Sequence, residues 1–316
     1  MTASADDPAI NNPYEHIKGQ FIGDGNKAFA KLNFLKATMV LSTTPGLDVY
    51  QWKRSKDVGY YVHMLHAASE VVTYRMFGID YYDAVLLSGE YQVQDMRALE
   101  KLRGLPEKEF VKIGIPYMDE MARRLRDAGP TPPHKRTVLL APSWGKSAIL
   151  QKYGGKIIDE LLATGYHVII RPHPQSFKSE TELMEKLMRD YPESDRLEWN
   201  RDNDNFEVLR RSDIMISDFS GVIFDFALVY DKPVIYADTE FDKSPYDAWW
   251  LEKLTPENMS GLRGMIDACL TDPRYEAGRQ EVRAETWEHP GEGAVRAANY
   301  LLAKYQELKS QEEGKK

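Results

Sequence analysis

Cysteine is nearly absent: among 316 residues Cys269 is the only one. One thiol cannot form a disulfide within the chain, which excludes a disulfide-stapled fold and suits a reducing, cytoplasmic compartment. It falls among Leu262, Met265, Ile266 and Leu270, apolar residues at helical spacing, and so reads as a buried core thiol. Long hydrophobic runs are missing as well. No stretch approaches the roughly 20 apolar residues that span a bilayer, so any membrane contact is expected to be peripheral. The opening residues, Met1-Thr2-Ala3-Ser4-Ala5-Asp6-Asp7-Pro8, lack the basic start and apolar run of a signal peptide. Positive charge is in deficit, with 41 Lys and Arg against 49 Asp and Glu and a formal net charge of -8. That balance excludes a protein that grips nucleic acid through a broad basic surface, but leaves room for a local phosphate site.

What is present is an ordinary globular balance, 42% hydrophobic and 28% charged, in a chain long enough for two domains. Residues 1 to about 30 are weakly patterned and read as a loose lead-in. Short apolar runs then mark strands at Thr38–Ser42, Gly59–Leu65, Ala84–Ser88 and Phe110–Ile113, and again at Thr137–Ala141, His167–Arg171, Ile214–Ser217 and Pro233–Ala237. Helical periodicity fills the intervals at Tyr91–Leu102, Met118–Asp127, Gly155–Thr164, Glu180–Arg189, Val222–Tyr230 and Ser260–Leu270. A last helix over about Gly293–Leu308 sets Val295, Ala298, Leu302 and Tyr305 on one face. Alternating strands and helices imply βαβ units and parallel sheets. Three prolines in the four residues Pro130–Pro133 cannot continue a helix, and read as a linker between domains at 1–128 and 136–316. The expected fold is α/β with two doubly wound domains facing a cleft, in which ligands bind beyond the carboxyl ends of the strands.

The polar residues that follow strands therefore carry the argument. In Ile214-Met215-Ile216-Ser217-Asp218-Phe219-Ser220-Gly221-Val222, a buried strand runs through a polar turn into a helix start, where the first amides lie unpaired and suit a phosphate or diphosphate. Asp218 or Ser220 reads equally as a plain N-cap, but the polar cluster is denser than a cap requires. Asp225 interrupts the apolar helix behind it and needs a partner, either a backbone group or a ligand hydroxyl. In Arg171-Pro172-His173-Pro174 a strand ends between prolines, exposing a guanidinium fork that matches phosphate oxygens and a histidine able to donate a hydrogen bond or a proton. The loop Pro142-Ser143-Trp144-Gly145-Lys146-Ser147 follows another strand but lacks the glycine spacing of a P-loop. His63-Met64-Leu65-His66 closes a first-half strand. No matching cysteine or carboxylate pair points to a metal there. A structural role and a single functional histidine both stay open, with His66 the better candidate for a general base because it lies past the apolar run. Asp202-Asn203-Asp204 reads as a solvated turn, and Tyr60, Tyr61, Tyr81 and Tyr82 as core and core rim.

With these motifs in view, the chain resembles the CDP-glycerol glycerophosphotransferase family, whose members build teichoic-acid-like poly(glycerol phosphate). The likeness rests on Ala141-Pro142-Ser143-Trp144, Arg171-Pro172-His173-Pro174, Ser217 through Phe226 and Asp231-Lys232-Pro233-Val234-Ile235-Tyr236, in that order. In the first half Tyr81-Tyr82-Asp83-Ala84, Ser88-Gly89 and Gly114-Ile115-Pro116-Tyr117-Met118-Asp119 are similar to family positions, while His66-Ala67-Ala68 stands where the family has Trp-His-Gly-Thr-Pro. The resemblance implies a GT-B architecture with a short N-terminal domain, and a donor, CDP-glycerol, held by the C-terminal domain with no cofactor or metal. It implies attack of an acceptor hydroxyl, on a polymer or lipid-linked acceptor, at the β-phosphorus, with CMP leaving. His66 is then the acceptor's base and His173 and Arg171 steady the diphosphate. Ser143, Ser217, Asp218, Ser220 and Gly221 line the donor site, with Asp225 behind. Work at the inner membrane face, as a peripheral protein, also follows from the resemblance. Two further readings stay open: a GT-B glycosyltransferase or polyol-phosphate transferase with another nucleotide donor, and a non-catalytic nucleotide-binding module.

Overall fold

The computed structural model describes residues 1–49, 51–71, 74–239 and 251–314. They form two compact units: Met1–His66 with Val71–Gly114 and Glu292–Lys316, and Ala67–Glu70 with Ile115–Gly291.

The first unit begins with helix α1 (Gly25–Leu32) inside the stretch read as a loose lead-in. Its strands are β1 (Ala37–Ser42), β2 (Val58–Met64), β3 (Ala84–Leu87) and β4 (Glu109–Lys112), with α2 (Glu90–Arg103) between the last two. All pair in parallel in the order β1-β2-β3-β4, which leaves β1 at an edge. One face packs Trp52, Tyr61, Val85 and Leu87 together. The other packs Val62, Ala84, Leu86 and Ile113 under the C-terminal helix of the chain.

The second unit opens with α3 (Pro116–Ala128). It continues through β5 (Thr137–Ala141), α4 (Ile149–Tyr153), α5 (Gly155–Ala163), β6 (His167–Ile170), α6 (Ser176–Ser179), α7 (Thr181–Asp190), β7 (Leu197–Trp199), α8 (Phe206–Arg210) and β8 (Ile214–Ser217). After β8 come α9 (Val222–Phe224) and a π-helical turn at Asp225–Val229, then β9 (Val234–Ala237), β10 (Glu252–Leu254), α10 (Leu262–Thr271) and α11 (Pro273–Thr286). The parallel sheet runs β10-β9-β8-β5-β6-β7. Counted from β5 this is the doubly wound order 3-2-1-4-5-6, whose direction of winding reverses between β5 and β8. Strands β5, β8 and β9 are buried along their whole length, the mark of a sheet covered on both faces. Cys269 is buried, as expected, and its surroundings push its thiol up to about 12.

Two expectations need correction. Apart from the short segment Ala67–Glu70, the chain enters the second unit at residues 114–115 and not at the proline run after Ala128, because α3 buries Met118 and Met121 in the core of the second unit. The C-terminal helix, α12 (Gly293–Glu313), belongs to the first unit, and its inward face is Ala297, Tyr300 and Leu301. The stripe of Val295, Ala298, Leu302 and Tyr305 is turned out, with Val295 and Leu302 each 62% exposed. Polar anchoring decides the rotation. Glu109 Oε2 accepts from Tyr60 (2.5 Å) and from Tyr300 (2.6 Å), and its Oε1 pairs with Lys304 Nζ at 2.9 Å.

Candidate active site

Four loops leave the carboxyl ends of β5, β6, β7 and β8, on either side of the point where the winding reverses. In doubly wound sheets that is where ligands sit. Asp218, the first residue after β8, has no exposed surface. Its Oδ1 accepts from the Ser143 amide at 2.8 Å and its Oδ2 from the Ile149 amide at 2.9 Å, so one carboxylate ties down both ends of the loop after β5. Burial pushes its pKa up, and those two amides oppose the shift. Ser217, also without exposed surface, donates to the Ala141 carbonyl at 2.6 Å across the β5–β8 seam. Both residues hold loops in place and leave the exposed surface to their neighbours.

The loop held by Asp218 presents two groups. Ser143 Oγ is buried beside the Asp218 carboxylate, and its hydrogen bond opposes the rise in the Asp218 pKa. Trp144 is 42% exposed, with its ring 6.2 Å from that of His173. Gly145, at φ +96°, makes a left-handed turn just after Ser143 and Trp144 and donates its amide to Glu180 Oε1 at 3.0 Å.

From β6 the chain delivers Arg171 and His173. Arg171 Nη1 donates to Asn200 Oδ1 (2.8 Å) and to the Asp202 carbonyl (2.6 Å). Its Nε and Nη2 have no partner among the described residues and remain free to meet an anion. Burial lowers its pKa, but a guanidinium stays charged. His173 Nδ1 accepts from the Gln175 amide at 3.0 Å. In the neutral ring the proton therefore sits on Nε2, which faces outward as a donor. Burial first, and Arg171 second, push His173 below the usual histidine pKa, so it is this neutral donor that is present at pH 7.

The turn after β8 supplies Ser220 and Gly221, both half-buried. Ile223 and Phe224 bond back to their carbonyls, and the amides before them are the donors a helix start leaves over. Asp225 opens the π-helical turn. It has no hydrogen-bond or ion-pair partner among the described residues, and burial alone pushes its carboxyl up to about 7. Tyr117, at the start of α3, lies near it: after burial, Asp225 is the next cause of the raised Tyr117 pKa.

The structure thus brings Ser143, Arg171, His173, Ser217, Asp218, Ser220, Gly221 and Asp225 together in one unit, around one sheet end. His66 lies in the first unit, two residues past β2, an exposed residue whose ring is 6.4 Å from that of Tyr74 and partly desolvated, which lowers its pKa. Its neighbour His63 is buried, and burial, against a backbone group of Ser42, pushes it down to about 3, so it packs as a neutral ring. Among the described residues no group of histidines, cysteines and carboxylates is placed to hold a metal ion. Two residues that shape the site were not singled out from sequence, and a third was discounted. Asn200 follows β7, a three-residue strand too short to recognise, and Glu180 acts from a helix cap. Asp202 does so through its main chain: the loop read as a solvated turn is the prop for Arg171.

The profile of the family described as CDP-Glycerol:Poly(glycerophosphate) glycerophosphotransferase matches residues 69–248. A teichoic acid glycerol-phosphate primase from Bacillus spizizenii is 25% identical over 169 residues, 49% of this chain and 40% of that protein. The chain thus spans about two fifths of that relative's length. Among solved structures, the wall teichoic acid polymerase TagF aligns with TM-score 0.55 and 17% identity over 91% of this chain and 75% of that one. The UDP-GlcNAc 2-epimerase of Methanocaldococcus jannaschii, solved with UDP-GlcNAc and UDP, aligns with TM-score 0.63 and 14% identity over 93% and 86%. At such identities the likeness concerns the fold, which is α/β of the GT-B kind, as expected from sequence. No helix among the described residues is long and apolar enough to cross a membrane.

Proposed function

Because this chain belongs to the CDP-glycerol:poly(glycerophosphate) glycerophosphotransferase family, we propose that it moves glycerol phosphate from CDP-glycerol to an acceptor hydroxyl and releases CMP. The observation that carries the reading is the pairing, at one sheet end, of a guanidinium whose Nε and Nη2 are free with a histidine whose Nε2 is a donor. A diphosphate meets both through its oxygens, with the Ser143 loop beside it, and the amides of Ser220 and Gly221 add neutral donors.

In the proposed reaction the acceptor oxygen forms a bond to the β-phosphorus while the bond from that phosphorus to the bridging oxygen breaks. The electron pair leaves with CMP, and the acceptor's proton passes to a base, assigned to His66. Negative charge grows on the bridging oxygen, where Arg171 and the His173 Nε2–H hold it. Fixed donors aimed at developing charge supply most of the rate in such transfers. Asp225, neutral up to about pH 7, offers a carboxyl proton to a ligand oxygen.

Isothermal titration of the full chain with CDP-glycerol, CDP-ribitol and UDP-GlcNAc tests the reading. CDP-glycerol is expected to bind, with Arg171→Ala weakening it at least tenfold, as loss of a charge-assisted contact implies. Binding of UDP-GlcNAc in preference to both CDP-polyols overturns the donor assignment.

A further inference from the structure

We propose that α12 pairs, antiparallel, with the same helix of a second copy of this chain, along the apolar stripe it turns to solvent. The stripe runs Val295, Ala298, Leu302 and Tyr305, spaced three, four and three residues apart. That is the alternating spacing at which two helices supercoil about one another. Val295 and Leu302 are each 62% exposed and Tyr305 43%. Asn299 and Gln306, which flank the seam, are exposed and uncharged. A solvated helix face ordinarily carries charge. Over residues 293–306 the sequence offers only Arg296 and Lys304, and neither is available to the stripe. Arg296 is held by Glu292 at 2.8 Å, and Lys304 by Glu109 at 2.9 Å and Glu307 at 2.7 Å. Nor is the helix free to roll the stripe inward, because Glu109 fastens Tyr300 and Lys304 to the sheet.

The occupant is a second copy because the stripe is complementary to itself about a two-fold axis. With the axis level with residue 300, Val295 meets the partner's Tyr305 and Ala298 meets the partner's Leu302, so each small residue faces a large one. Such a contact is the same seen from either copy, and it closes at two. Charge agrees with size: Lys309 comes level with the partner's Glu292. A parallel pair would instead set Ala298 against Ala298, Tyr305 against Tyr305 and Lys309 against Lys309, two misfits of size and one of charge. The seam is about three turns long, which places the contact at the small end of specific interfaces, under about 1,200 Å². The dimer is therefore reversible, and at high dilution the stripe stays exposed. None of these residues is assigned to the donor site or to the base, so this inference stands apart from the proposed reaction.

Sedimentation equilibrium of the full chain, from micromolar to submillimolar concentration, tests the pairing. We expect a monomer–dimer equilibrium. Leu302→Glu should raise its dissociation constant about tenfold or more, since it carries a carboxylate into a closing apolar seam. Because Leu302 is exposed, that variant should melt like the parent in dilute solution; if it does not, cross-linking decides without it. Cys269 is buried, so thiols introduced on α12 report alone. Val295→Cys and Tyr305→Cys chains, mixed and oxidised, should form a disulfide between copies. Each variant by itself should form little, because in an antiparallel pair like positions lie about 15 Å apart along the axis, too far to bridge. A chain that stays monomeric throughout, a dimer indifferent to Leu302→Glu, or a variant that cross-links with itself as readily as with the other would overturn the proposal, the last by making the pair parallel.

Discussion

Asp225 and Asp218 show how two carboxylates seven positions apart are set to different tasks by what surrounds them. Asp218 has two amide partners, both from a loop about seventy residues away in sequence, and it fixes that loop. Sequence marks Asp218 as part of a polar cluster after a strand, but the partners are invisible there, because nothing local indicates which distant amides will arrive. Asp225 has no hydrogen-bond or ion-pair partner among the described residues, and burial pushes it up to about 7. A raised folded-state pKa means that the folded chain binds this proton more tightly than the unfolded one. The resulting stability is fully present below the ordinary aspartate pKa near 4 and is lost as pH rises through about 7. Asp225→Asn removes that dependence. The variant should melt like the parent at pH 4 and be more stable at pH 8, by on the order of 1 kcal/mol since the group keeps some exposure. Equal melting shifts at both pH values would show that the carboxyl is not held neutral by the fold.

At the scale of elements, the strands were the most legible. The eight expected ones all exist within a residue or two of their bounds, because four or five apolar residues in a row between polar turns leave a covered parallel strand as the natural reading. Helices fared according to their burial pattern. The 14 residues of α11 went unseen because its buried positions include Gly278, Arg279 and Thr286, which give no apolar period; only Asp272 before Pro273, a cap and first-turn signature, marked its start. In α12 the periodicity was read but its direction was not, since the inward face is carried by tyrosine and lysine bonded to Glu109 as well as by leucine. This gives a contrast of adjacent residues. Leu301→Ala should cost about 1–3 kcal/mol, as a partly buried leucine facing Val62 and Leu86, whereas Leu302→Ala should stay within about 0.5 kcal/mol. Chemical denaturation of the two variants side by side decides it, and the reverse ranking would make the outward stripe the core face.

Across the whole molecule, the donor residues legible in sequence all fall in the second unit, and the proposed base falls in the first. The motifs after β5, β6 and β8 are local strings of five to ten residues, and local strings survive translation from sequence to structure. The base is legible only as one of two histidines, and the structure separates them by burying His63 as a neutral ring and leaving His66 exposed. If donor binding and proton removal are divided in this way, the two functions come apart by mutation. His66→Ala should leave the CDP-glycerol dissociation constant within about twofold of the parent, because no donor-assigned residue belongs to its unit. Turnover, read as CMP release with acceptor present, should fall by about 100-fold or more, the usual contribution of a positioned base. Arg171→Ala should instead weaken binding and turnover together, since its guanidinium meets the diphosphate in the ground state as well as in the transition state. The pH profile adds a readout that a merely structural histidine would not move. With burial holding His66 below the ordinary histidine pKa, the parent's turnover should already be at its plateau by pH 7, and that acidic limb should vanish with His66→Ala. A His66→Ala variant that loses donor binding in step with turnover would place His66 in the donor site, and the division of labour between the two units would have to be abandoned.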